Sequence, residues 1–148
     1  MGSKRLADET VNKLLKEFDS LRHLPDDHIT KFQVDVGDLF FLLESLKFDT
    51  SCRFDLLMDL TAVDYTTHFT MVYVLYSLPL GHRVMVKCDI PRINANILSI
   101  SRLYAAADVM EREAYDLMGI DFVGHPNLKR ILLADDFVGH PLRKDYTP

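Results

Sequence analysis

Tryptophan is absent from this chain of 148 residues, and cysteine occurs only twice, at Cys52 and Cys88. The two cysteines form no CxxC pair, and an iron–sulfur cluster normally takes four thiolates, so the chain is not expected to hold a cluster alone. We find no secretory signal pattern at the N-terminus. The sequence therefore predicts reduced thiols in a reducing compartment rather than a disulfide framework.

Long hydrophobic runs and an excess of positive charge are also missing. No uninterrupted apolar run approaches the ~20 residues that a membrane-spanning helix needs, so no span is predicted. The formal net charge of −5 argues against a general nucleic-acid-binding protein. With 48% hydrophobic residues, 6 glycines and 6 prolines, the composition is that of one globular domain with a real core.

The familiar catalytic signatures are absent as well. The chain has no GxSxG nucleophile elbow, no GxGxxG or other phosphate-binding glycine loop, and no HExxH zinc motif. Such motifs place a nucleophile, a phosphate or a metal through backbone geometry. From the residues alone, no self-contained active site is predicted.

What the sequence does contain is an alternation of helix and strand patterns. Apolar residues at helical spacing predict a first helix over residues 8–24, which a proline ends. Alternating apolar and polar residues over 32–36 predict a half-buried strand. The Gly-Asp pair at 37–38 then predicts a turn that caps a second helix, LFFLLESLK.

Three strands are predicted in the middle of the chain. CRFDLLMDL (residues 52–60) and TMVYVLYSL (residues 70–78) are rich in apolar and β-favouring residues, and the second is apolar on both faces. The Pro-Leu-Gly-His stretch at 79–82 predicts a tight turn. The strand over 83–89 alternates apolar and polar residues, so it completes a hairpin with one solvated side.

Two more helices are predicted before the C-terminal part. The first runs through ANILSISRLY, residues 95–104. The second runs from an N-cap at Asp108 to Met118 and ends at Gly119. From residue 120 onward, extended pieces alternate with turns.

The order of these elements sets the predicted fold class. It indicates an α+β fold with a mostly antiparallel sheet of four or five strands and helices packed against it. Within this single domain, residues 1–120 are expected to form the α+β core. Residues 121–148 are expected to form an extended C-terminal tail that docks on a partner.

The hexapeptide DFVGHP occurs twice in that tail, at residues 121–126 and 136–141. Glycine accepts a positive φ, and each proline forces the preceding histidine, His125 or His140, towards extended backbone. Each copy thus predicts a stiff bend that exposes the basic segment after it. A metal site built on both histidines is a less favoured alternative, because only a few aspartates lie near as further ligands. A histidine that transfers protons is a third.

A charged triplet, Glu111-Arg112-Glu113, lies on the last predicted helix. Neighbouring helix positions point about 100° apart, so Glu111 and Glu113 do not converge as a catalytic carboxylate pair would. Spacing alone favours a solvated helix face on which Arg112 pairs with Asp116 at i,i+4. A charged contact to a partner protein is the alternative.

Aspartates and aromatic residues around the central strands suggest two further sites. Asp55 and Asp59 fall on one face of a strand, with Asp64 and His68 nearby, and could bind a cation. We favour aspartates that face solvent. Phe69 and the tyrosines of the hairpin could stack nucleic-acid bases, but no basic groove accompanies them, so packing in the core or an interface is favoured.

The run EREAYDLMGIDFVGHPNLKRILLADDFVGHPLRKDY, residues 111–146, closely resembles the 30 kDa subunit family of respiratory complex I, the NADH:quinone oxidoreductase. The shared pattern is a helix that opens with E-R-E, an aromatic-Asp pair, a glycine, G-H-P, R-I-L and a second G-H-P-L-R-K-D-Y. A weaker similarity extends over the hairpin, back to Asp55.

The resemblance implies a peripheral-arm subunit that supports assembly and electron transfer from NADH to quinone and has no activity alone. It implies no cofactor in this chain, because iron–sulfur clusters and flavin would lie in partner subunits. The implied partners are the large quinone-site subunit and nearby iron–sulfur subunits, on the cytoplasmic side of a bacterial inner membrane or the mitochondrial matrix side. The implied partner contacts are Glu111, Arg112, Glu113, His125, Arg130, His140, Arg143 and Lys144.

Two other functions stay open at this point. Related subunits occur in membrane-bound hydrogenase and formate hydrogenlyase complexes, so the chain could be the equivalent subunit of one of those. It could also be a free-standing metal-dependent enzyme that uses His125, His140 and nearby aspartates.

Overall fold

A computed structural model of the chain describes residues 5–25 and 28–148. The helices of this described part are α1 (Asp8–Glu17), α2 (Val36–Phe48) and α3 (Ala107–Met118). Its strands are β1 (Arg22–His23), β2 (Thr30–Gln33), β3 (Leu56–Asp64), β4 (His68–Tyr76), β5 (Arg83–Pro91), β6 (Asn96–Leu98) and β7 (Asp121–Val123). These elements confirm the predicted α+β class.

The main sheet has five strands in the order β1-β2-β5-β4-β3. Neighbouring strands are antiparallel except β2 and β5, which are parallel. The parallel pair is possible because α2 and the β3–β4 hairpin lie between its strands in sequence and carry the chain across the sheet. A separate two-stranded parallel sheet joins β6 to β7, in register from Asn96↔Asp121 to Leu98↔Val123.

The predicted hairpin of β4 and β5 is confirmed, and it supplies much of the core. Val84, Val86 and Cys88 are fully buried, whereas the alternate residues of β5 are partly or well exposed. Gly81 in the connecting turn has φ +75°, a conformation that glycine adopts without steric cost. Cys88 is a free buried thiol, as Cys52 is, which agrees with the predicted reduced state.

Helix α2 covers the sheet with a leucine-rich face. Leu39, Leu42, Leu43 and Leu46 recur at helical spacing and are at most 1% exposed. They join the buried side chains of β4 and β5 in one continuous hydrophobic core. Burial of this apolar surface, at roughly 25 cal/mol per Å², is the main force that holds helix and sheet together.

The helix predicted over residues 95–104 is wrong. Residues 96–98 form β6 and pair with β7, and turns follow. Strand pairing with a segment more than twenty residues later therefore overrides the local helical spacing.

Several predicted element ends are also wrong. Helix α1 ends at Glu17 rather than at residue 24, because Phe18 is extended and the chain then turns into β1. Val36 begins α2 instead of continuing a strand. Helix α3 begins at Ala107, so Asp108 is not its N-cap. The predicted end of α3 is confirmed, since Gly119 is the C-cap with φ +75°.

Beyond β7 the chain forms turns without regular helix or strand, in a segment that runs from residue 124 to residue 148. The first three residues of the predicted tail form β7 and so share a sheet with β6. Over the ranges that the structure describes, none of the helices has the length and apolarity needed to cross a bilayer.

Candidate functional site

The two DFVGHP copies place their histidines at opposite ends of α3. His125 Nε2 lies 3.0 Å from the carbonyl oxygen of Asp108, in the first turn. His140 Nδ1 lies 2.9 Å from the carbonyl oxygen of Asp116, in the last turn. The repeat therefore folds residues 124–148 back along the helix. We call α3 together with residues 119–148 the α3–tail unit.

His125 is a buried structural residue in this unit. Its Nδ1 accepts a hydrogen bond of 2.9 Å from the backbone N–H of Asn127. Because Nδ1 accepts, Nε2 must carry the proton and donate it to the Asp108 carbonyl. The Asp108 carboxylate lies 3.3 Å from the same nitrogen, and the histidine side chain is 0% exposed.

His140 has a different environment. Its ring lies against Gly119, where a Cβ atom would come within 2.7 Å of His140 Cδ2. Glycine is thus needed at position 119 for two reasons: its φ is positive, and the His140 ring leaves no room for a Cβ atom. Tyr115 packs edge-on against the same ring, with centroids 6.4 Å apart. The two histidines are repeated in sequence but not in role.

The carboxylate of Asp116 is the centre of the unit. It is buried and accepts backbone N–H groups from three successive residues, Ile131, Leu132 and Leu133, at 2.7–3.1 Å. It also lies 2.7 Å from Arg130 Nη1. Burial raises the pKa of this carboxyl, but the N–H groups and the guanidinium outweigh burial and lower the pKa to about 2.

Arg130 connects this carboxylate to the second GHP bend. Its Nη2 donates to the carbonyl oxygens of Phe137 (2.9 Å) and Gly139 (2.8 Å), and its guanidinium lies over the Phe137 ring. Arg112 donates to the carbonyl oxygens of Lys129 and Arg130. The predicted i,i+4 pair of Arg112 with Asp116 is therefore wrong, because the returning tail supplies better partners to both.

Glu111 is also inside the protein. It is 0% exposed and accepts hydrogen bonds from Ser99 Oγ (2.5 Å) and the Ile100 N–H (2.8 Å), which ties α3 to the end of β6. Burial raises the pKa of Glu111 against the opposing effect of these two donors. The predicted solvated face is wrong for Glu111 and Asp116, whereas Glu113 is exposed.

Asp64 fixes the far end of the tail to the main sheet. Its carboxylate accepts the N–H groups of Lys144 and Thr66 at 2.8 Å and pairs with Arg92 Nη2 at 2.8 Å. Burial raises the pKa of Asp64, but these donors outweigh it, so the pKa is lowered. The prediction that Asp64 faces solvent is therefore wrong.

Asp55 and Asp59 are exposed, as predicted, but the strand predicted over residues 52–60 is wrong in its bounds: β3 begins at Leu56, so Asp55 precedes it and the two do not share a strand face. The two histidines of the repeat do not meet: their helix contacts lie eight residues apart, about 12 Å along α3, which is too far to share one metal ion. Across residues 5–25 and 28–148, no three His, Cys, Asp or Glu side chains gather as a metal site would require.

The structure thus brings Arg112, His125, Arg130 and His140 into internal contacts of the α3–tail unit, and Glu111 into contact with Ser99 and Ile100 after β6. Arg143 lies over the Phe69 ring, and Glu113 and Lys144 point to solvent. Sequence reasoning missed the roles of Asp64, Asp116, Ser99 and Arg92. For Asp116 there was one signal, its place in the aromatic-Asp pair of the family pattern.

The profile described as "Respiratory-chain NADH dehydrogenase, 30 Kd subunit" matches residues 32–148, which include the whole α3–tail unit. The chain belongs to this family. Its relatives include the C subunits of two NADH-quinone oxidoreductases. The one from Moorella thermoacetica is 43% identical over 94% of this chain and 94% of that protein. The one from Geobacter metallireducens is 48% identical over 66% of this chain, which spans 62% of that protein.

Two solved structures have a similar fold. A chain of the membrane-bound sulfane sulfur reductase, an archaeal respiratory membrane complex, superposes with a TM-score of 0.82 at 26% identity, covering 95% of this chain and 85% of that chain. A trypsin-resistant fragment (1–134) of Nqo5 superposes with a TM-score of 0.68 at 25% identity, covering 82% and 98%. The predicted family is confirmed.

Proposed function

We propose that this chain is a peripheral-arm subunit of an NADH:quinone oxidoreductase that shapes and holds neighbouring subunits and bears no cofactor itself. The observation that carries the proposal is the family match over residues 32–148, which contains every residue of the α3–tail unit. The partners would be the large quinone-site subunit and nearby iron–sulfur subunits. This subunit would lie on the cytoplasmic side of a bacterial inner membrane, or on the matrix side in a mitochondrion.

The internal bonding of the α3–tail unit supports a docking role. Asp116, Arg130 and His125 bind groups within this unit, so a segment without helix or strand is held in one shape. A surface that is ordered before binding loses little conformational entropy when a partner docks. The buried polar groups of the unit therefore serve to preorganise a surface.

The tail exposes apolar side chains on that preorganised surface. Leu132 is 60% exposed, Val138 88% and Leu142 59%, and we call these three residues the tail face. Large exposed apolar side chains on an ordered surface are candidates for protein–protein contact. Lys144 and Glu113 are exposed in the same unit and would supply polar contacts at the rim.

A second assembly is supported by one observation, the TM-score of 0.82 with a chain of an archaeal sulfane sulfur reductase complex. The chain would then be the equivalent subunit of a respiratory membrane complex with another electron donor. The docking role of the tail face would be the same in both assemblies. The identity of the co-purifying subunits separates the two.

The proposal is tested by affinity purification of the tagged full-length chain from detergent-solubilised membranes of a host that carries the whole complex. We expect co-purification of flavin-bearing and iron–sulfur subunits, identified by mass spectrometry and visible absorption. Recovery of a sulfur- or hydrogen-metabolising catalytic subunit instead would support the second assembly. Recovery of neither set would overturn the proposed function.

Two matched variants test the role of the tail face. Val138→Asp should keep the thermal unfolding temperature and lower recovery of partner subunits at least tenfold, because it places an unpaired charge in a desolvated contact. Val36→Asp, at an exposed position in the first turn of α2, should leave both unchanged. Equal recovery with both variants would exclude the tail face as the docking surface.

A further inference from the structure

A groove of about 620 Å³ opens between β6, β7 and the end of the tail. Its lining includes Ile93, Asn94, Asn96, Val123 and Arg143. We call it the Arg143 groove. It is separate from the tail face, since none of the tail-face residues lines it.

Arg143 is fixed in this groove but has few hydrogen-bond acceptors. Its guanidinium lies 5.2 Å from the centroid of the buried Phe69 ring, and its side chain is 25% exposed. Its Nε is buried and makes no hydrogen bond with the part of the chain that the structure describes. Asp145 Oδ1, 3.4 Å from that nitrogen, supplies an ion contact without hydrogen-bond geometry.

The neighbouring Arg92 differs in this respect. It also lies over Phe69, at 5.5 Å, but it donates to the Thr66 carbonyl oxygen at 2.7 Å and to Asp64 at 2.8 Å. The Arg92 side chain is therefore already hydrogen-bonded within the protein. Arg143, by contrast, can still donate hydrogen bonds to a ligand in the groove, since a guanidinium offers five N–H donors.

Asp145 is a weak occupant of the site. Its side chain is 63% exposed, and it touches Arg92 and Arg143 at 3.2 and 3.4 Å. Ion pairs with one partner this exposed contribute little to stability. A carboxylate that binds the Arg143 fork in bidentate geometry would make shorter, stronger hydrogen bonds than Asp145 does.

We propose that the Arg143 groove receives an extended acidic segment of a partner subunit, whose carboxylate binds Arg143 and displaces Asp145. This rests on the proposed function, because the occupant belongs to a partner of the same complex. The Asn94 amide suits the backbone of such a segment, whereas the Asn96 amide already donates one hydrogen bond to the Asn94 carbonyl oxygen at 2.8 Å. Ile93, 83% exposed, and Val123, 46% exposed, offer apolar contacts on its flanks.

The groove also excludes other occupants. Asp121 and Asp145 line it together with the two arginines, so its charge is mixed rather than strongly basic. Each further negative charge of a polyanion such as a nucleic acid would add repulsion from these two aspartates. A single acidic residue in a polypeptide therefore fits better than a multiply charged ligand.

The proposal is tested in the assembled complex by site-specific photo-crosslinking. A benzophenone side chain at position 93 of the full-length tagged chain should crosslink to a co-purifying subunit, at a peptide with Asp or Glu within about four residues of the crosslink. Benzophenone at position 48, exposed on α2, should not label that peptide. Crosslinks only to peptides without an acidic residue, or none from position 93, would overturn the proposal.

Three variants give a second readout. Arg143→Gln should lower recovery of partner subunits at least tenfold in a salt wash. Asp145→Asn should raise recovery about twofold, because it removes the competing carboxylate. Asp59→Asn, at an exposed position of β3, should leave recovery unchanged. A loss with Asp145→Asn equal to that with Arg143→Gln, at unchanged unfolding temperature, would overturn the proposal.

These outcomes separate the groove from the wider function. Wild-type recovery of the oxidoreductase subunits together with full recovery by Arg143→Gln would overturn the groove proposal alone. Failure of the wild-type chain to recover any partner would overturn the proposed function, and the groove proposal with it.

Discussion

Arg130 Nη1 lies 2.7 Å from Asp116 Oδ1, and this pair joins the last turn of α3 to the tail. The side chain of Asp116 is 0% exposed and that of Arg130 is 12% exposed. The carboxylate also accepts the three N–H groups of residues 131–133. The charge of each partner is thus satisfied within the chain, and the loss of either would leave the other uncompensated.

Asp116→Asn is expected to lower the free energy of unfolding by about 3–5 kcal/mol, because removal of one partner from a buried pair leaves an uncompensated charge. The NH₂ group of the new asparagine would also face the backbone N–H groups that now donate to the carboxylate, and two donors cannot form a hydrogen bond with each other. Urea unfolding followed by circular dichroism measures the change. Asp136→Asn, exposed in the same tail, is the matched control and should change stability by less than about 0.5 kcal/mol. Similar values for both variants would contradict this role of Asp116.

Asp116 also predicts a dependence of stability on pH. Its pKa is about 2 in the folded protein against an ordinary value of 3.8. Because the folded-state pKa is lowered, the carboxylate stabilises the protein fully above the unfolded pKa, and the contribution, about 2 kcal/mol, is lost as the pH falls through 2. The stability difference between wild type and Asp116→Asn should therefore shrink between pH 5 and pH 2. A difference that stays constant over this range would refute the assignment.

Gly119→Ala is expected to destabilise the protein by about 1–3 kcal/mol. The αL conformation at φ +75° costs a residue with a Cβ atom about 1–2 kcal/mol. The new methyl group would also come within 2.7 Å of His140 Cδ2, on a ring anchored to the Asp116 carbonyl. Thermal and urea unfolding measure the loss.

The control for this substitution is Gly37→Ala in α2. A Cβ at Gly37 meets no atom within 4 Å, and alanine is the better helix former, so the variant should be neutral or up to about 1 kcal/mol more stable. In the His140→Ala background, Gly119→Ala should cost less than it does in the wild type. An unchanged cost there would show that the ring does not contribute.

His125 is expected to carry its proton on Nε2 in the folded protein. The N–H of Asn127 points at Nδ1, and Nε2 faces the carbonyl oxygen of Asp108. Long-range ¹H–¹⁵N spectra of the imidazole at neutral pH distinguish the tautomers. His140, whose Nδ1 faces a carbonyl oxygen, should instead show a proton on Nδ1. The same tautomer pattern in both rings would contradict these contacts.

Much of the fold could be read from local patterns. The hairpin of β4 and β5 followed from alternation and a Pro–Gly turn, and the end of α3 followed from Gly119. β6 could not be read in this way, because Asn96–Leu98 gains its hydrogen bonds from β7 across more than twenty residues. A short segment with a weak local preference takes the state that a distant partner stabilises.

The sequence by itself determined the family, the α+β class and the bends at the two GHP copies. These depend on residue order, on hydrophobic period and on the φ restrictions of glycine and proline. Only the tertiary structure decided what the charged residues do. Asp64, Glu111 and Asp116 look like surface carboxylates in the sequence, but they are buried because N–H donors 2 to 80 positions away converge on them. Periodicity in the sequence shows which residues share a face of one helix or strand. It carries no information about the donors that folding brings to a carboxylate.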